Sequence, residues 1–102
     1  MKILALEKEL PGIPDSAFEP HLRDEALRAW QLYQEGTVRE LYFRSDWRGA
    51  VLVLECSDVA AAEAALATLP LVRHGLIEFD LVPLRAYPGF ERLFASGEPR
   101  QA

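Results

Sequence analysis

Apolar residues crowd into one stretch, Gly49 to Leu71 (GAVLVLECSDVAAAEAALATLPL). In an extended chain Val51 and Val53 fall on one side, and Ala50, Leu52, Leu54 and Cys56 on the other. A strand from Ala50 to Cys56 is therefore apolar on both faces and must be covered twice. Ser57 or Asp58 then caps a short helix with apolar positions Val59, Ala62, Leu66 and Leu69, which Pro70 is expected to end. Lys2 to Lys8 repeats the two-faced pattern, with Ile3 and Ala5 pointing one way and Leu4 and Leu6 the other, as in a central strand.

The remaining elements are amphipathic or mixed. Leu10 to Pro14 holds two prolines and a glycine and reads as loop. Ser16 and Glu19 have capping-box spacing, with Pro20 in the first turn; the alternative start puts Pro20 at the first helical position. Phe18, Leu22, Ala26, Ala29, Trp30 and Tyr33 then form one apolar stripe at helical spacing, and Gly36 supplies a stop. Val38 to Arg44 is a strand with polar and apolar residues on both faces, which suits an edge. Ser45 to Gly49 turns it back in a hairpin. Gly75 releases a last strand, Leu76 to Leu84, in which Ile77, Phe79 and Leu81 alternate with Glu78 and Asp80.

The order strand, helix, strand, strand, helix, strand is the ferredoxin-like βαββαβ arrangement of an α+β domain with a four-stranded antiparallel sheet. Its usual strand order, 4-1-3-2, makes the two double-faced strands central. Two helices cover only one face of such a sheet. The other face calls for a second copy, giving a homodimer whose sheets pack into a dimeric α+β barrel, or a larger ring of such dimers. Ala86 to Phe94 carries three aromatic rings without periodicity and is expected to pack on a neighbouring subunit. We read one domain over residues 1–95 and a frayed tail over 96–102.

Composition narrows the partners. The 102 residues fit one small domain, half of them hydrophobic. A net charge of −5 opposes binding to nucleic acid or to an anionic membrane, both of which need clustered cations. One cysteine allows no internal disulfide. The apolar run near the start is too short for a signal peptide or membrane span, so a cytoplasmic protein is expected. The six glycines are isolated from one another, which removes the usual phosphate-binding loops.

Gly36, Val38, Arg39, Leu41 and Tyr42, then the hairpin, then Leu69-Pro70-Leu71, and finally Val82-Pro83-Leu84 with Pro88 resemble muconolactone isomerases in order and spacing. The resemblance spans Gly36 to Pro88. Where that pattern has a histidine before its last proline, this chain has Tyr87, and Val72 to Leu76 is slightly longer. The resemblance implies a proton shift on a small unsaturated lactone without cofactor or metal. Such a reaction needs one or two acid/base groups and a group to stabilise a dienolate oxygen.

Several residues fit those roles. His21 and Glu25 lie one helical turn apart, so Glu25 can orient an imidazole that shuttles the proton; otherwise they are a solvated helical pair. Tyr42 can donate to an enolate oxygen and Arg44 can hold a substrate carboxylate, or both are edge packing and surface charge. Trp30 is a substrate platform or, with Tyr33, core. Glu78 and Asp80 are a carboxylate pair or edge protection, and Cys56 is a thiol at a helix start or a small filler. His74 and His21 lack the spacing of a metal site. Two other functions stay open on the same fold: a non-catalytic ligand-binding or assembly module, and a cofactor-free monooxygenase or cyclase.

Overall fold

The computed structural model describes residues 1–94, so the tail expected over 96–102 lies outside the described residues. The chain forms β1 (Lys2–Lys8), α1 (Leu22–Gln34), β2 (Val38–Phe43), β3 (Ala50–Glu55), α2 (Val59–Leu66), α3 (Pro70–Arg73) and β4 (Glu78–Pro83). The four strands make one antiparallel sheet in the order β2-β3-β1-β4, so the two double-faced strands are indeed central.

Register sorts the side chains between the two faces. Ile3 stands opposite Leu54 and Ala5 opposite Leu52, and these four meet the helices. Leu54, Ile3 and Ala5 are 0% exposed, and Leu32, Val38, Ala62, Leu66 and Leu69 complete the core around them. The opposite face carries Leu4, Leu6, Val51 and Val53, each only partly covered. Among the described residues no layer lies over it. Lys8 at its margin reaches Glu78 at 3.3 Å and Asp80 at 3.6 Å, so those two carboxylates serve an edge ion pair.

Local chemistry moved several boundaries. The segment before α1 is two 3₁₀ turns, Asp15–Ala17 and Glu19–His21, with no side-chain cap on either, and the capping box of Ser16 and Glu19 does not form. Pro20 explains this: without an N–H it cannot close an α-helical bond back to Ser16, and the chain tightens instead. Asp58, not Ser57, caps α2 by accepting from the Ala61 N–H at 2.8 Å. Pro70 opens α3 rather than closing α2, because Leu69 is extended ahead of it and the missing proline N–H falls at a helix start. β4 begins at Glu78, leaving buried Ile77 as its lead-in.

Two differences change which side chains face the core. A bulge at Arg39 lets Val38 pair with Leu54 and Leu41 with Leu52, so Val38, Leu41 and Phe43 share the helix-side face and Glu40 and Tyr42 the other. Simple alternation had put Val38 with Glu40 and Tyr42. The face of α1 turned to the sheet carries Glu25, Ala29 and Leu32, so of the expected stripe Ala29 packs on the core while the aromatic rings do not. Leu22, Trp30 and Tyr33 are half exposed, and Trp30 stacks on Tyr33 rather than entering the core. Arg28, on the other flank of α1, donates to the Thr68 hydroxyl at 2.8 Å, which turns that flank toward the end of α2.

Among the described residues no helix is long and apolar enough to cross a membrane. Beyond β4 the chain runs out as an arm with a 3₁₀ turn at Gly89–Leu93, where the Tyr87 and Phe90 rings meet edge to face at 5.1 Å and both stay exposed.

Leu54→Ala removes a fully buried side chain between sheet and helices. It should lower unfolding free energy by about 2–5 kcal/mol in urea titrations with little change in slope. Gly36 ends α1 at φ +85° with nothing closer than 3.9 Å to an added Cβ. Gly36→Ala should therefore lose about 1–2 kcal/mol from backbone conformation alone in the same assay.

Candidate active site

Glu7 is the next helix-facing residue of β1 after Ile3 and Ala5, and it is the first polar one. The β1–β3 ladder closes with Leu6 opposite Val51. One step on, the Glu7 carboxylate takes over from the backbone and accepts the Ala50 N–H at 3.0 Å. Glu25 looks back from α1 toward the sheet. Its carboxylate accepts the Leu71 N–H at 2.8 Å, a free donor in the first turn of α3. Two half-buried carboxylates are thus held, one from each layer, by one backbone donor apiece.

Two imidazoles come from the ends of the helices joined by the Glu25–Leu71 bond. His21 sits just ahead of α1, and His74 just past α3. Their rings stack at 4.1 Å between centroids and 23° between planes. The site therefore gathers groups from β1, the start of α1 and α3 at one end of the sheet. Burial raises the proton affinity of Glu25 most; the Leu71 N–H opposes that, and the negative charge of Glu7 adds to it. The net direction is upward from the ordinary carboxylate range, which moves Glu25 toward the values useful for proton transfer near neutral pH.

The expected site residues divide between three places. His21 and Glu25 share this end, but among the described residues no hydrogen bond or ion pair joins them: Glu25 goes to Leu71, and His21 to His74. Tyr42 lies on the open sheet face opposite Val51, where its hydroxyl donates to Glu40 at 2.7 Å. Arg44 is engaged in its own turn, with two bonds to Asp46 at 2.9 and 2.8 Å and its guanidinium 5.4 Å from the Trp47 ring centre. Tyr42 and Arg44 thus have separate partners rather than a joint one. Trp30 lies on the uncovered flank of α1. Cys56 is half buried and its thiol is pushed up by burial, which fits a filler and not an activated thiol.

Sequence reasoning missed Glu7, although strand parity alone places it on the face of Ile3 and Ala5. The pairing of His74 with His21 had no local signal, since more than fifty residues separate them. Among the described residues no group of three or more His, Cys, Asp or Glu side chains is arranged to hold a metal. A shallow open depression of about 480 Å³ lies at the other end of α1, lined by Tyr33, Gln34, Glu35, Gly36, Val38 and Arg39. It holds none of Glu7, Glu25, His21 and His74, so the chemistry points to the Glu7–Glu25 end.

No family model matches the chain, and no curated protein does. Among solved structures it is similar to muconolactone isomerase, with a TM-score of 0.67 and 23% identity over 86% of this chain and 92% of that one. It is also similar to a 5-chloro-2-hydroxyhydroquinone dehydrochlorinase from Burkholderia phenoliruptrix, solved with 2,5-dihydroxybenzoquinone. There the TM-score is 0.62 and identity 14% over 87% of this chain and 98% of that one. The resemblance read from the motifs is thus matched by a shared fold across most of both chains.

The raised proton affinity of Glu25 sets a sign for stability. Between its unfolded value near 4.5 and its higher folded value, the folded state holds more protons, so this group's contribution to stability falls as pH rises. Glu25→Gln keeps an acceptor for the Leu71 N–H and removes the titration. Thermal unfolding should show wild type gaining on the variant as pH drops from 7 toward 4.5; parallel curves would contradict the assignment.

Proposed function

We propose that this chain is a cofactor-free enzyme that shifts a proton on a small lactone or aromatic-derived ring, an isomerase of the muconolactone-isomerase kind. The observation that carries this reading is Glu25, a half-buried carboxylate of raised proton affinity held by the Leu71 N–H, on a fold shared with two enzymes of small-ring metabolites. In this reading Glu25 takes a proton from a carbon next to the ring carbonyl, and the electron pair moves to the carbonyl oxygen as a dienolate. The proton returns to a different carbon of the same system, so nothing is oxidised or reduced. His21 and His74 supply N–H donors for the oxygen. Tyr87, in place of the histidine of the isomerase pattern, argues for a substrate other than muconolactone itself.

The reading includes a homodimer in a cytoplasmic setting. The open face of Leu4, Leu6, Val51 and Val53 is apolar at its centre and charged at the margin by Lys8, Glu78 and Asp80, the pattern of an interface between copies. A pairing of these faces would close a barrel and enclose Tyr42. A rival reading, a non-catalytic assembly module, draws on the number of exposed apolar side chains, Phe43 at 73% among them.

Ultraviolet assays on a panel of unsaturated lactones and quinols decide between the two. Glu25→Gln should lower kcat by about 10²-fold or more on whichever substrate turns over. Equal turnover by the variant would remove Glu25 from the acid/base role, and no turnover across the panel would favour the module. Sedimentation should give a dimer for wild type and a smaller species for Val53→Glu, which places a charge at the centre of the open face; a wild-type monomer at micromolar concentration would remove the barrel.

A further inference from the structure

The two edges of the sheet are built differently. β4 guards its edge with Glu78 and Asp80, both drawn to Lys8, and with Pro83, which has no N–H to offer. β2 instead carries Leu41, Tyr42 and Phe43 in succession, 44%, 55% and 73% exposed. A bare apolar edge is a template for another strand. Hydrogen-bond parity says which of its groups are free. Arg44 donates to the Gly49 carbonyl at 2.9 Å, so bonding to β3 alternates back through Tyr42 and Glu40, opposite Val51 and Val53. The backbone N–H and C=O of Leu41 and Phe43 therefore point out of the sheet. The bulge at Arg39 ends this free row on one side, and the turn that Asp46 ties to Arg44 ends it on the other.

We propose that the β2 edge pairs antiparallel with the β2 edge of a second copy, around a two-fold axis through Tyr42. In this register Leu41 lies opposite the partner's Phe43, and Phe43 opposite the partner's Leu41. Each such pair exchanges both of its backbone bonds, and the exposed side chains cover each other on the helix side. Tyr33 borders Val38 and Arg39 of β2, so the flank of α1 with the Trp30 and Tyr33 rings adds apolar surface on that side. On the opposite face Glu40 meets the partner's Arg44, a charge match that the two-fold makes twice. Neighbouring registers lose it. Centring on Phe43 sets Glu40 against the partner's Asp46, and centring on Leu41 draws the bulged Arg39 into the ladder. The edge is a different surface from the open face of Leu4, Leu6, Val51 and Val53, so it joins face-to-face pairs into a larger assembly. A contact this short is the weaker of the two and fills as concentration rises.

Cross-linking reads the register directly. In a Cys56→Ala chain, Tyr42→Cys places two thiols at the axis, where such strands bring Cα atoms to about 4.5 Å, within reach of a disulfide. Mild oxidation at high protein concentration should give a covalent dimer on a non-reducing gel. Glu40→Cys, which faces the partner's Arg44 and not its own copy, should stay uncross-linked under the same conditions. The Tyr42→Cys dimer should persist when Val53→Glu disrupts the open face. Phe43→Lys should abolish it, since lysine on an edge opposes pairing. Phe43 is mostly in solvent, and an unchanged circular-dichroism spectrum verifies that the variant folds. No covalent dimer from Tyr42→Cys, equal cross-linking by Glu40→Cys, or loss of the dimer with Val53→Glu would each overturn the proposal.

Discussion

Everything in this fold leans on the pairing of β1 with β3. Ile3 against Leu54 and Ala5 against Leu52 form the floor on which α1 and α2 rest, and all four are buried. A ladder of this kind gains little from its hydrogen bonds alone; burial of the side chains on its helix face supplies most of the stability. The same alternation that builds that floor lays Leu4, Leu6, Val51 and Val53 on the reverse, where the described residues place no second layer. The demand for a second layer is therefore written into the two strands that stabilise the first.

The site arises from the place where that apolar pairing runs out. After Leu6 and Val51 the backbone ladder between β1 and β3 stops, and a carboxylate takes the next donor. Across the gap α1 has turned from Leu32 and Ala29 to Glu25, and the short α3 offers its own unsatisfied N–H. Each acid is placed by a structural need, as acceptor for a donor that would otherwise lack a partner. That double use also explains why a charged pair is tolerated at the end of an otherwise apolar layer.

The strands were legible because two-faced apolar runs have no other simple solution, and the strand order follows from them. The α1 face was less so. Two stripes run along this helix, one with the large rings Trp30 and Tyr33 and one with Glu25, Ala29 and Leu32. Ring size favoured the first. The sheet takes the second, which offers a small residue beside one leucine where helix and strand approach closely, and leaves the rings half exposed on the flank. Within the site, Glu25 was visible as a candidate and Glu7 was visible in principle, by parity. The contacts of Glu25 with Leu71 and of His21 with His74 were not, since they depend on how α3 is set against α1, and Pro70 gave no hint that it begins a helix.

The bulge at Arg39 bears on how this chain can be compared with others. Upstream of it Val38 lies on the helix side of the sheet; downstream the parity is shifted so that Leu41 and Phe43 lie on that same side. A relative lacking the extra residue would present the same inward row from a strand one residue shorter. An ungapped alignment of the two would then set inward side chains against outward ones on one side of the bulge, and identity would drop there without any change in shape. Some of the distance between a chain like this and others of its fold is accordingly a matter of register, and superposed coordinates, not matched letters, are the means of tracing its descent.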